Sequence, residues 1–376
     1  MTRRILFVVN HAGFFLSHRL PLALGAARLG YEVHVATPRS KHVPLVLEAG
    51  LQWHRILLSR SSKNPWVELR TLRSLSQVYR SVSPDLVHHV TSKPVLYGTP
   101  VARSENVPAV VNAISGVGHV FADEGPLQRL TRSGVSLGYR FALRHPRMRV
   151  IFQNTDHQSG FIRRGWVRST ECVLIPGSGV DTSVFVPQPP AAARNVPTVV
   201  FASRMLYTKG VREFVDAART LRSRGVQAQF ILVGEPDPDN LASVPKSRLE
   251  AWADEGVVAY WGRRDDMPGV FAQADIACLP SYSEGMPKVL IEAAACGLPL
   301  VATDIPGCRD IARHGDTGLV VPVKDAVRLA EALERLVTDR DLRERMGRRG
   351  RDLVVREFSL DMVVRRTMDV YQTLLS

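Results

Sequence analysis

Two hydrophobic patterns alternate along most of the chain. Short apolar runs closed by polar residues predict buried strands at Arg4–Asn10 (RILFVVN) and Tyr31–Thr37 (YEVHVAT). Between them Leu20, Leu22, Leu24 and Leu29 predict a helix over Ser17–Leu29, ended by Gly30. Strand, helix and strand in that order make a βαβ unit, which implies a parallel sheet with ligands bound beyond the carboxyl ends of its strands. The alternation continues with a helix over Glu68–Val82 and strands at Asp85–His89, Val107–Asn112, Arg149–Asn154 and Val173–Pro176. The Pro/Ala-rich passage 188–195 reads as a linker. A second series follows it, with strands at Thr198–Ala202, Gln229–Val233, Val257–Trp261, Asp275–Leu279, Leu300–Thr303 and Gly318–Val321. Helices over Gly210–Gly225 and Met286–Cys296 fall between these strands, and Phe358–Leu375 is an amphipathic terminal helix. The prediction is two successive doubly wound α/β domains, residues 1–185 and 186–358.

Length and charge sharpen this picture. A chain of 376 residues exceeds what one hydrophobic core comfortably serves. With 45% apolar and 23% charged residues it is not a disordered chain. Residues 1–185 hold 23 Lys and Arg against 10 Asp and Glu, while residues 186–376 hold 26 of each. The whole net charge of +13 therefore belongs to the N-terminal half. Such an excess points to an anionic partner: nucleic acid, an anionic membrane surface or a phosphorylated substrate. No aromatic-interleaved basic strip or zinc pattern supports nucleic acid. No secretory signal is read at the start, and no run of ~18 apolar residues predicts a membrane-spanning helix. The four cysteines (Cys172, Cys278, Cys296 and Cys308) form no C-x-x-C pair and read as free thiols of a reducing cytosol. Leu127–Arg149 combines Leu130, Leu137 and Phe141 with Arg129, Arg132, Arg140, Arg144, Arg147 and Arg149. It reads either as a basic amphipathic contact for a membrane or as a helix packed on the core with a solvated basic face.

Candidate chemistry concentrates in Pro280–Pro299 (PSYSEGMPKVLIEAAACGLP). A strand ending at Leu279 delivers a small polar turn, and Pro287 can open the next helix as its first residue. Backbone N–H groups of Gly285, Met286 and Lys288 would then face the ligand side, as suits an anionic or hydroxyl-rich ligand. Glu284 and Glu292 stand eight residues apart, about two helical turns, and carboxylates accept paired hydrogen bonds from vicinal hydroxyls. Taken without their flanks, Glu284 reads equally as a helix-cap carboxylate and Glu292 as a solvated face residue. Arg204 and Lys209 follow a predicted buried strand, where cations could stabilise a leaving diphosphate. Near the start, Asn10-His11-Ala12-Gly13-Phe14-Phe15 reads as a loop in which Gly13 lets backbone approach a phosphate or sugar, with His11 and His18 as neighbours. Either histidine reads also as a structural one. Ser115-Gly116-Val-Gly118-His119 is a second small-residue loop after a strand.

Glu284 with its partner eight residues on resembles the signature of glycosyltransferase family 4. The resemblance extends through Phe201–Gly210 (FASRMLYTKG), Gly307–Asp310 and Gly315–Gly318. It implies a GT-B fold: two Rossmann-like domains with a cleft between them and a C-terminal helix, residues 359–376, crossing back to the first domain. It further implies that Glu284 contacts hydroxyls of the transferred sugar, Glu292 holds the nucleotide ribose, and Arg204 and Lys209 clamp the diphosphate. The Gly13 loop would meet donor diphosphate and acceptor. The Gly116–Gly118 loop resembles that of members extending polyprenyl-diphosphate-linked glycans in bacterial surface polysaccharide pathways. Many relatives carry a histidine directly after that strand, where this chain has Asn112-Ala-Ile, so a replacement role for His119 or His11 stays open. The implied activity is sugar transfer with retention from a uridine-linked nucleotide sugar to a lipid-linked acceptor, peripherally on the cytoplasmic face of the inner membrane. No metal or other cofactor is expected, as no Asp-x-Asp sequence is read beside the donor site. The alternatives are an inverting GT-B transferase using His11 or His18 as base, and a nucleotide-sugar 2-epimerase.

Overall fold

The computed structural model describes residues 2–59, 62, 64–114, 134, 136–188 and 196–376. They form two compact units, Met1–Ser178 with Asp361–Ser376, and Gly179–Leu360. Gly116, Gly118 and His119 lie outside the described residues, as do Arg129, Leu130, Arg132 and the passage 189–195.

The first unit is built on a seven-stranded parallel sheet. Its strands are β1 (Arg4–Val9), β2 (Glu32–Thr37), β3 (Gln52–Arg55), β4 (Leu86–Val90), β5 (Ala109–Ile114), β6 (Met148–Phe152) and β7 (Cys172–Leu174). They lie in the order β3-β2-β1-β4-β5-β6-β7. A strand covered on both faces needs apolar side chains at odd and even positions alike. Ile5, Phe7 and Val9 join one core layer and Leu6 and Val8 the other. The first layer includes Val363, Met368 and Tyr371 of the C-terminal helix Leu360–Leu375; the second includes Leu75, Val78 and Tyr79 of the helix Pro65–Val82.

Ser17–Leu29 is not one helix. Arg19 leaves helical geometry at φ −130°, and two helices flank it, α1 (Ala12–His18) and α2 (Leu20–Arg28). Pro21 sits in the first turn of α2, where its missing N–H costs nothing. The expected loop over 10–15 is therefore mostly the first turn of α1. Strand β3 escaped the hydrophobic pattern because QWHR is a polar, half-exposed edge strand.

The division between the units falls at Ser178 and Gly179, ahead of residue 185, and the cause is local. The Val180 N–H donates to Phe358 and its carbonyl accepts from Leu360 N–H. The Arg351 guanidinium donates to the carbonyls of Thr182, Phe185 and Ala295. These bonds tie residues 180–185 into the second unit.

That unit holds a six-stranded parallel sheet of β8 (Thr198–Ala202), β9 (Gln229–Val233), β10 (Ala259–Gly262), β11 (Ile276–Leu279), β12 (Leu300–Thr303) and β13 (Gly318–Val321). The order is β10-β9-β8-β11-β12-β13. Chain order reverses between β8 and β11, and the crevice beyond the carboxyl ends at such a reversal is where doubly wound sheets bind ligands.

Candidate active site

Both sequence segments that carried candidate chemistry leave the sheet of the second unit at this reversal. Beyond β8 the chain runs through Arg204 to a single 3-10 turn, Tyr207–Lys209, and then to Gly210 in the left-handed conformation at φ +76°. A Cβ on Gly210 would lie 2.1 Å from the Pro280 carbonyl oxygen, so only glycine lets the two segments approach this closely. Tyr282 N–H then donates to the Thr208 carbonyl at 3.0 Å. The result is an ion pair between Lys209 Nζ and Glu284 Oε1 at 2.5 Å, both side chains mostly buried.

Three further groups hold Glu284 and its turn. Ser281 Oγ donates to the same Oε1 at 2.7 Å, and the Thr303 hydroxyl at the end of β12 donates to the Ser281 carbonyl. Gly307, at φ +81°, packs so tightly on the Gly285 carbonyl that its own Cβ would sit 2.1 Å from that oxygen. Tyr282 OH donates to Glu213 at 2.6 Å, and Lys324 lies 5.1 Å above its ring. Glu284 is thus a carboxylate presented by a braced turn, not a helix cap. Pro287 differs from expectation too: it is the N-cap residue, and the helix begins at Lys288. Gly285 and Met286 precede it in the turn, and Met286 packs against the core.

Glu292 lies one side of that helix, buried and paired with Lys288 at 3.0 Å. Burial raises its carboxyl above the usual range, and Lys288 only partly counters this. Stability from a raised carboxyl is complete below the unfolded value near 4.5 and is lost as pH rises through the folded value. Glu292→Gln should therefore melt above the wild type at pH 8. The melting difference should close as pH falls toward 4.5, which thermal scans across that range will show.

Arg204 does not join the Lys209–Glu284 pair. Its guanidinium is half-exposed and donates to Asp237 beyond β9 at 2.6 Å. Asp237-Pro-Asp239 is an Asp-x-Asp sequence whose first carboxylate meets Arg204, contrary to the expectation that no such sequence stands there. Periodicity hid it because these residues follow β9 in an irregular loop. Ser281, Tyr282, Glu213 and Asp237 were all missed as site residues; only Ser281 and Tyr282, inside the P-S-Y-S-E-G turn, carried a local signal.

Of the remaining candidates, His11, Gly13 and His18 belong to the first unit, at the carboxyl end of β1 beside the corresponding reversal toward β4. His11 caps α1: its Nδ1 accepts from Gly13 N–H at 3.1 Å. Gly13 gives room for this, since a Cβ there would lie 3.0 Å from the His11 ring. Its glycine character serves the cap, not a positive φ. His18 stacks on Phe14 at 4.2 Å and shares a 2.6 Å hydrogen bond with Ser17 Oγ.

Two parallel Rossmann-like sheets, with an acid–base ion pair braced at the switch point of the second, define a group-transfer enzyme of the GT-B kind. The chain belongs to the family-4-like glycosyltransferases and is a glycosyltransferase. Residues 4–154 match the family model of the glycosyl transferase 4-like domain, and residues 196–339 that of glycosyl transferases group 1. It is 26% identical to the N,N'-diacetylbacillosaminyl-diphospho-undecaprenol alpha-1,3-N-acetylgalactosaminyltransferase of Campylobacter jejuni, over 98% of each chain. It is 25% identical to the UDP-Gal:alpha-D-GlcNAc-diphosphoundecaprenol alpha-1,3-galactosyltransferase of Escherichia coli, over 81% of this chain and 79% of the relative. Its fold matches Anabaena HepE, solved in complex with UDP-glucose, with a TM-score of 0.76 at 19% identity over 99% of both chains.

Proposed function

We propose that this glycosyltransferase moves a hexose or N-acetylhexosamine, with retention, from a UDP-sugar to a polyprenyl-diphosphate-linked glycan in surface polysaccharide or glycoconjugate synthesis. The observation that carries the reading is the Lys209–Glu284 pair at the switch point, with Glu292 on the helix that follows. As the bond to the leaving diphosphate breaks, negative charge grows on its oxygens. Lys209, preorganised by Glu284, and Arg204 supply fixed positive charge there without reorganising water. Glu284 keeps lone pairs for sugar hydroxyls, and Glu292 for the ribose diol. The acceptor reading rests on the two relatives that act on undecaprenyl-diphosphate-linked sugars along most of this chain's length.

His11 supports retention in an indirect way. An inverting transferase needs a base, but the His11 Nδ1 lone pair accepts the Gly13 N–H, so the neutral ring carries its proton on Nε2.

Screening UDP-sugars against polyprenyl-diphosphate-linked mono- and disaccharides should single out one donor. NMR of the product should show the donor's α configuration preserved; a β-linked product overturns retention. Turnover of UDP-GlcNAc to UDP-ManNAc without acceptor would make the protein an epimerase instead.

The basic first unit is read as the membrane-facing one. Leu137 and Phe141, one helical turn apart, are 70% and 58% exposed. Arg103, Arg140, Arg144 and Arg168 line a hollow of about 570 Å³ beside them. Cations next to outward apolar side chains suit an anionic interface. Full-length protein should co-sediment with vesicles containing anionic lipid and not with neutral ones. Binding should weaken from low to high salt, and Leu137→Ser with Phe141→Ser should weaken it further. Equal binding to neutral vesicles would end this part of the reading.

A further inference from the structure

The first unit holds a buried cation with no carboxylate partner. Arg19, at the corner between α1 and α2, is 4% exposed, and no ion pair to it exists among the described residues. One terminal guanidinium nitrogen donates to the His18 carbonyl at 3.1 Å and to Ser178 Oγ at 3.2 Å, while Nε has no partner among the described residues. Burial lowers its pKa to about 10, so the group stays charged at neutral pH. An uncompensated buried charge is costly unless something neutralises it.

The second donor is His88, in the centre of the sheet on β4 and 1% exposed. Its Nδ1 lies 2.5 Å from the hydroxyl of Tyr371, on the C-terminal helix. That phenol is fully buried and has no other hydrogen-bond partner among the described residues, so its O–H donates to Nδ1. The ring hydrogen then sits on Nε2, which also has no partner among the described residues. Arg19 and His88 line one cavity of about 10 Å³, together with Gly177, Gln153, Val363 and Thr367. The centre of a water-sized sphere can range over that volume. The two residues that carry these N–H donors and the positive charge thus border one small space.

We propose that this cavity is a site for a single halide-sized anion, chloride in ordinary buffers, held between Arg19 Nε–H and His88 Nε2–H. The anion neutralises the guanidinium and fastens three parts of the first unit to one another: the α1–α2 corner, β4 and the C-terminal helix.

Full-length protein prepared free of halide should be melted in sodium gluconate and in sodium bromide at equal ionic strength. Bromide should raise the melting temperature saturably, by about 3 °C at ~10 times its Kd. Arg19→Gln should abolish that dependence. Crystals grown in bromide should show an anomalous peak within contact distance of Arg19 Nε and His88 Nε2. A cavity with no anomalous peak, together with identical melting in the two salts, means a water molecule only and overturns the proposal. The crystallographic arm uses wild-type protein, so it decides the matter even where Arg19→Gln does not fold. Failure of any sugar-transfer test leaves this result untouched.

Discussion

Lys209→Ala should lower kcat/KM for sugar transfer by about 10²–10³-fold, the range seen when one preorganised charge-stabilising donor is removed from an active site. On the proposed mechanism the loss falls mainly on kcat, because the charge that Lys209 would meet grows as the diphosphate departs. Glu284→Gln should cost a comparable factor by a different route. It keeps the size of the side chain but leaves Lys209 without its charged partner and, on the proposed mechanism, removes a charged acceptor for sugar hydroxyls. The two side chains meet at 2.5 Å, so the double variant should lose less than the two single losses multiplied together. Steady-state kinetics with a lipid-linked acceptor measures all three, and melting curves confirm that each variant is folded. Activity of Lys209→Ala within about threefold of wild type would remove the pair from the chemistry.

Gly210→Ala should destabilise the second unit by about 3–5 kcal/mol, because two penalties coincide there. The residue holds φ +76°, which disfavours any side chain. The added methyl would also overlap the Pro280 carbonyl, a backbone atom that cannot swing away. Differential scanning calorimetry should show a transition lowered by roughly 10 °C. Gly225→Ala is the control: it too has positive φ, at +73°, but its Cβ would meet nothing within 4 Å. Its cost should be about 1 kcal/mol. Equal losses for the two variants would show that conformation alone, and not the close approach of the two segments, makes glycine necessary at 210.

Much of the fold was legible because parallel strands covered on both faces write themselves as unbroken apolar runs. RILFVV, TVVFA and LVAT contain little else. A polar edge strand escapes the same reading, as QWHR does, because its side chains are exposed or only half-buried. Helix boundaries were legible where a glycine or proline stood at the break. They were lost at Arg19, whose departure from helical geometry comes with burial against Ser178, 159 residues away. At the site, Glu284, Lys209 and Glu292 could be named because their motif is local. Asp237 could not, since its meaning comes from Arg204, which reaches it from another strand.

The sequence by itself determined the two doubly wound sheets, the family and the residues that carry charge at the ends of β8 and β11, because each of these is encoded within a few consecutive positions. Which of those charges meet was decided only in three dimensions. Lys209 and Glu284 stand 75 residues apart and come together because Gly210 passes against the Pro280 carbonyl. His88 and Tyr371 are 283 apart and join because the C-terminal helix packs on the first sheet. Periodicity reports which way a side chain faces along its own element. The approach of two elements is set by packing across the sheet, where close contacts between backbone atoms leave no room for another arrangement.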